Sequence, residues 1–404
     1  MKLIKQSWQV VVFGLVVAMF SMLVLPAGTA FAAKPEFITM WTRLEAEVDL
    51  LRQYGEAWAK ETGVKVRVYQ EGPEVQQLAQ ATRRADGPDV IYGVPNDQLA
   101  GFVEAGLVQE IPEAVFSNDD YVGSAVQACF VGGKRYGLPI AVETIGLFYN
   151  TDKITTPPKT WDELIEAAKA NGGLTFEATS IYYDLGFFRA FDSYIFNYQD
   201  GAYDVGDIGL GNENAVKAYA YLSDLAQVHG FVSADMSTDI ARSMFQNGES
   251  AFYIGGPWDI AGFNAVEVPF AVSPLPTLNG REFVTPVGTQ LGFVSSKSQK
   301  QEYAWDFVKY LMENSAEEMY KVGGRIPASL VGQQNIDFDA NTEAFTAQIA
   351  NGEPLPGVAE IGHLWGIFED NMKLLFRGVI SPEEAGKYIS SQLEESIELM
   401  HSGR

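Results

Sequence analysis

Glu143 is the only charged residue in the stretch YGLPIAVETIGLFYN, residues 136–150, and its neighbours are apolar or suited to extended backbone. A run of that composition reads as a strand buried on both faces, where an ionised carboxylate persists only if something polar meets it. Trp41, Trp258 and Trp365 are the second notable set. They lie in MWTR, GGPWDI and GHLWGIF, each at the end of a strand or the start of a helix and beside small or turn-forming residues. Indole faces set among glycines and turns are placed to be approached, although any single one could instead pack beneath a loop. Aromatic faces together with carboxylates suit a sugar, whose C–H faces lie flat on rings while its hydroxyls donate hydrogen bonds.

Other chemistries find less support. The 3 histidines, His229, His363 and His401, fall into no metal-ligand spacing. There is no G-x-S-x-G elbow, no phosphate-binding loop and no G-x-G-x-x-G after a strand. A pair of carboxylates, Glu143 with Asp97 for example, keeps a glycoside hydrolase open, since 52 acidic residues allow many pairs and sequence gives no separation.

Residues 1–32 follow the logic of export: Lys2 and Lys5, an apolar run from Val10 to Leu25, a break at Pro26 and Gly28, then Ala30-Phe31-Ala32. Cleavage is expected after Ala32, placing the mature chain in the periplasm or at the cell exterior. Loss of the two lysines takes the net charge from −24 to −26, which disfavours nucleic acid and anionic membranes as partners. The lone cysteine, Cys129, rules out an internal disulfide and reads as a small buried apolar group. A mature length of about 370 residues exceeds one ordinary core and calls for two lobes.

The elements that must position these groups alternate between strand and helix from residue 37, as in a βαβ sheet. Strand is expected over 37–42, helix over 47–63 with Gly63 as its stop, strand over 64–69, helix over 74–84 and strand over 88–94. Thr160 and Glu163 form a capping box for a helix closing at Asn171-Gly172, and Ser381-Pro382-Glu383-Glu384 opens another over 382–401. Further helices are expected at 182–198, 212–229, 237–246, 300–313, 340–350 and 358–377, and strands at 173–177, 250–254, 268–275 and 290–296. No Gly/Ser linker separates two lobes, so the chain should cross between them on ordered segments more than once, with a ligand cleft at the junction.

The blocks DGPDVIYGVPNDQLAGFVEAGLVQEI, YGLPIAVETIGLFYN, PPKTWDELIEAAK and GESAFYIGGPWDIAGF, in this order and spacing, resemble the maltose/maltodextrin-binding proteins of bacterial ABC importers, within the extracellular solute-binding proteins. The resemblance runs from Trp41 to the terminal helix. It implies an α/β fold of two doubly wound lobes joined by a hinge, the class II periplasmic-binding-protein fold. The N-terminal lobe would comprise 33–141 and 289–336, the C-terminal lobe 146–285 and 341–404, and the hinge 142–145, 286–288 and 337–340. It also implies that Glu143 and Asp97 accept hydrogen bonds from sugar hydroxyls and that Tyr182, Trp258 and Trp365 form a stacking platform. Trp41, Arg43 and Glu45 would complete the site from the first strand and its loop.

Several positions depart from the family pattern. Gly93 replaces a tryptophan, Gln98 an arginine, Glu45-Ala46 an Asp-Lys pair and Ser180 a glutamate, so the sugar itself stays open. The expected protein is a monomeric receptor, without cofactor or catalysis, that takes an oligosaccharide of the maltodextrin class to a membrane permease and its ATPase. An exported hydrolase, or the same fold with another small solute, is the alternative.

Overall fold

The computed structural model describes residues 34–403 apart from 71–74, 85, 113–114, 116 and 200–201, so the leader expected over 1–32 lies outside the described residues. Along the chain the strands are β1 (Phe37–Thr42), β2 (Lys65–Gln70), β3 (Val90–Pro95), β4 (Phe130–Val131), β5 (Lys134–Arg135), β6 (Leu138–Glu143) and β7 (Gly146–Asn150). There follow β8 (Leu174–Thr175), β9 (Phe196–Gln199), β10 (Ala202–Ile208), β11 (Phe252–Gly255), β12 (Phe270–Ser273), β13 (Gly288–Val294) and β14 (Ile326–Pro327).

Two sheets organise the molecule. The first has the order β14-β6-β13-β3-β1-β2 and the second β12-β7-β11-β8. In the first, β1 runs parallel to β2 and β3, as βαβ alternation requires, while β13 is antiparallel to both β3 and β6. Helices cover both of its faces. Trp58 of helix Val48–Thr62 and Phe307 of helix Gln301–Asn314 pack with Tyr92 on one side. Leu78, Leu99 and Phe102 pack with Ile91 and Phe293 on the other. This explains why β3 and β6 are almost continuously buried and their sequences show no alternation.

The chain passes directly from one sheet into the other where β6 continues through Thr144 and Ile145 into β7. It returns ahead of β13 and crosses again between β14 and helix Ala340–Ile349, which packs on β12 and β7. The first two crossings are tied together. The Thr144 hydroxyl lies 2.8 Å from the Pro286 carbonyl, to which it donates, and 2.7 Å from the Thr285 hydroxyl. Beneath them one apolar cluster draws on both sheets, joining Val142, Ile326 and Ala328 to Phe148, Tyr253, Phe263 and Phe345.

One helix is shorter than its apolar content suggests. The segment expected as helix over 182–198 ends at Ala190, Asp192 takes a left-handed φ of 62°, and Phe196–Gln199 pairs instead with β10 as a hairpin. Cross-strand contacts sustain the hairpin: the Tyr198 and Tyr203 rings lie 4.8 Å apart, and Asp207 accepts from Tyr194 and Asn197. The capping box at Ser381 and Glu384 is complete, whereas Glu163 reaches the Lys159 N–H in place of the Thr160 N–H. Cys129 is fully buried with its thiol 3.1 Å from the Ala125 carbonyl, and burial pushes its pKa up.

Asp184, in helix Ile181–Ala190, is fully buried, and among the described residues neither carboxylate oxygen has a hydrogen-bond donor. Burial, with a smaller contribution from Glu177, pushes its pKa well above the usual carboxylate range. A raised folded pKa means that the folded state keeps the proton after the unfolded chain has lost it. The stability this group contributes is therefore full below the unfolded value, about 3.9, and declines as pH rises towards the folded pKa. Asp184→Asn should match or exceed the wild type in urea unfolding at pH 8 and lose this part of the pH dependence between pH 5 and pH 8. A variant less stable at both pH values would contradict the assignment.

Candidate functional site

Glu143 is the last residue of β6, opposite Gly288 at the start of β13, where one sheet gives way to the other. Its side chain is 13% exposed and both oxygens are engaged: Oε1 accepts from Gln290 Nε2 at 2.6 Å and Oε2 from Arg325 Nη1 at 2.9 Å. Arg325 turns its Nε to Glu47 Oε1 at 2.7 Å, and Glu47 is wholly buried. Burial acts to lower the Arg325 pKa, but Glu143 and Glu47 together hold it above its ordinary value. Two carboxylates thus share one guanidinium at the lobe junction. Arg135, the nearby arginine in sequence, donates to Asn118 and lies over Phe130.

Asp97 sits in the single turn Asn96–Gln98 that follows β3 and accepts from the side chain of Gln98. Burial raises its pKa, with Glu143 adding to the rise, while Gln98 and the charge of Arg43 oppose it. That turn abuts helix Ile361–Phe376, which carries Trp365. From the second lobe Tyr182, at the start of helix Ile181–Ala190, faces the same acids. Its pKa is pushed well up, chiefly by burial and then by Glu143, Tyr183 and Asp97, so it stays a neutral phenol able to donate.

The Tyr182 ring is 6.4 Å from that of Trp258 at an interplanar angle of 48°. Tyr182, Trp258 and Trp365 all flank one core cluster, half-buried. Trp258 stands on the tight loop Gly255-Gly256-Pro257. A β-carbon added at Gly256 would lie 2.2 Å from the indole Cη2, so the ring rests on the glycine itself. Asp259 anchors the loop from below. It accepts from Tyr253 Oη at 2.9 Å and Arg242 Nε at 2.5 Å, and the Gly256 N–H donates to it at 3.3 Å. Burial raises the Asp259 pKa, and Arg242 and Tyr253 oppose the rise.

Two further expected positions belong to the first strand and its loop. Trp41 flanks the cluster of Leu78, Ile91 and Val94, edge-on to Tyr69 at 6.4 Å, and Glu45 is exposed. Gly93, where the resemblance predicts tryptophan, has φ +81°, and a β-carbon there would lie 2.4 Å from Leu44 Cγ. Leu44 therefore occupies the space a larger residue would need. Sequence reasoning missed Glu47, Gln290 and Arg325. Gln290 gave a signal, as a polar residue inside GTQLGFV, and so did Arg325, after a glycine pair in GGRIP.

Residues 53–346 match the family described as bacterial extracellular solute-binding protein. The chain is 30% identical over 365 residues to a galactooligosaccharide-binding protein of Bacillus subtilis, covering 86% of each. It is 28% identical to the maltodextrin-binding protein MdxE of the same organism, covering 76% of this chain and 77% of that one. Among solved structures, the maltose-maltodextrin binding protein of Alicyclobacillus acidocaldarius superposes with a TM-score of 0.84 at 28% identity, over 89% of this chain and all of that one.

Removing the shared cation should be costly. Arg325→Met leaves Glu47 and Glu143 buried without a counter-charge and should lower the unfolding free energy by about 3–5 kcal/mol at pH 7. Adding Glu47→Gln should restore part of the loss. Urea titration of the single and double variants checks both statements.

Proposed function

The chain belongs to the bacterial extracellular solute-binding proteins, and from that premise we propose that it is the carbohydrate receptor of an ABC importer, taking an α-glucan of the maltodextrin class outside the cytoplasm and presenting it to the membrane permease. The observation that carries this reading is the meeting of Glu143, at the end of β6, and Asp97, just after β3, with Tyr182 and Trp258 from the other side. Acceptor oxygens opposite aromatic faces suit a pyranose, whose hydroxyls and C–H faces have those two demands. Asp97, Glu143, Tyr182, Trp258 and Trp365 would contact the sugar, with Arg43 acting on Asp97.

The lobes would be 33–141 with 289–336 and 146–285 with 341–404. Crossings 142–145, 286–288 and 337–340 would be the hinge, which the Thr144 hydrogen bonds support. Sugar bridging the lobes would stabilise the closed state by as much as it contacts that state better than the open one. Closure then presents two lobe surfaces in fixed relation to the permease, whose ATPase is a separate chain. Family membership sets aside the hydrolase reading of the Glu143–Asp97 pair. A galactooligosaccharide is the second reading, favoured by the 30% identical relative and by Gly93 and Gln98 at positions where the maltose pattern differs.

Tryptophan fluorescence titrated with maltose through maltotetraose, and with a matched galactooligosaccharide series, tests the proposal and separates the two sugars. Saturable binding of the first series is expected; binding of neither would overturn the function. Glu143→Ala should weaken sugar binding by about 1.5–3 kcal/mol, the range for hydrogen bonds to a charged group.

Closure can be tested separately. Gly324 has φ +65°, and a β-carbon on it would lie 2.9 Å from the Pro257 carbonyl of the Trp258 loop, whereas Gly106 has φ +63° with nothing within 4 Å. Both Gly324→Ala and Gly106→Ala should lower the sugar-free melting temperature, Gly324→Ala at least as much as Gly106→Ala. Only Gly324→Ala should also weaken binding, by about 1–2 kcal/mol, measured calorimetrically.

A further inference from the structure

The hydrogen bonding around Glu143 leaves the Gln290 carbonyl without a partner, as it leaves Glu47 Oε2 beyond Arg325. Gln290 is only 7% exposed, and its Oε1 has no hydrogen-bond partner among the described residues. It lies on β13, between β6 and β3. Its amide orientation follows from chemistry. Glu143, salt-bridged to Arg325 on one oxygen, presents acceptors only, so the Gln290 NH2 must face it and the carbonyl must occupy the other arm of the fork. A buried carbonyl without a donor is unfavourable, and a glutamine in a strand otherwise rich in Val, Leu and Phe calls for a reason.

We infer that Gln290 is a specificity-determining residue of the sugar site, its carbonyl accepting one hydroxyl while Glu143 accepts the hydroxyl on the adjacent ring carbon. The inference rests on the carbohydrate reading given above and deepens it. Two neighbouring acceptors linked by the amide N–H match a vicinal diol. A carboxylate or phosphate on the ligand would meet only repulsion from them. Gln290 Nε2 also fixes the direction of the Glu143 carboxylate, so the two acceptors keep a set spacing.

The test is a cycle between protein and ligand. Wild type, Gln290→Met and Glu143→Ala are titrated calorimetrically with methyl β-maltoside and its monodeoxy derivatives, and each protein is melted without sugar. In the wild type, deletion of either of two adjacent hydroxyls should weaken binding by about 3- to 10-fold, the worth of one hydrogen bond. Gln290→Met should abolish the effect of one of these deletions and Glu143→Ala that of its neighbour. Discrimination by Gln290→Met that matches the wild type overturns the inference. So does silencing of the same hydroxyl by both variants, which would reduce Gln290 to a support for Glu143. A fall in melting temperature with unchanged affinity would mark a purely structural glutamine. Failure of the wild type to bind any maltoside would instead overturn the maltodextrin reading itself.

Discussion

The sharing of one guanidinium between two carboxylates constrains the rest of the molecule. Glu47 comes from the start of the helix after β1, Glu143 from the end of β6 and Arg325 from the residue before β14, so three separate segments of the chain must be in place before the charges balance. Breaking such an arrangement is far more costly than forming it is favourable, because each group left behind is a buried charge. The balance is also incomplete. With two acids to one base, the residual demand at this position is for hydrogen-bond donors without negative charge, which a neutral polyol supplies and an anion does not.

The opposite wall is held by other means. Trp258 is placed by backbone geometry, a glycine beneath its ring and a buried aspartate tying the loop to Arg242 and Tyr253. Tyr182 is placed by a helix whose buried face belongs to the main core of the second lobe. The two sides therefore contribute in different ways. Acids and an amide, Glu143, Asp97 and Gln290, stand on one side, and aromatic rings, Tyr182 and Trp258, on the other. Such a division suits a receptor for a series of related oligomers.

Much of the fold was legible because the relevant signals are local. Gly63 and Gly172 end their helices in the left-handed conformation, Ser381 caps the last helix, and the βαβ run from 37 to 94 follows from hydrophobic periodicity. The helix expected over 182–198 was overextended because FFRAF and SYIF are apolar under either periodicity, and the deciding event, Asp192 turning left-handed, leaves little trace in composition. Single residues with an evident chemical oddity stand out in the sequence, Glu143 in an apolar strand and Trp258 among glycines. The partners do not. Arg325 lies 182 residues from Glu143 and 278 from Glu47, and nothing in one dimension announces a contact made only when strands from distant parts of the chain become neighbours. Gly93 shows the reverse case. Its substitution was visible, but its cause, the Leu44 side chain in the vacated space, required the structure.

Cys129 carries a practical consequence. It is the single thiol of the chain, fully enclosed, and burial keeps it in the unreactive protonated form. A cysteine introduced on either rim of the cleft would be the only one that a maleimide or an environment-sensitive dye encounters. The native sequence is in that sense already prepared for site-selective conjugation, and a reporter attached there would register occupancy as an optical signal with no background from the scaffold.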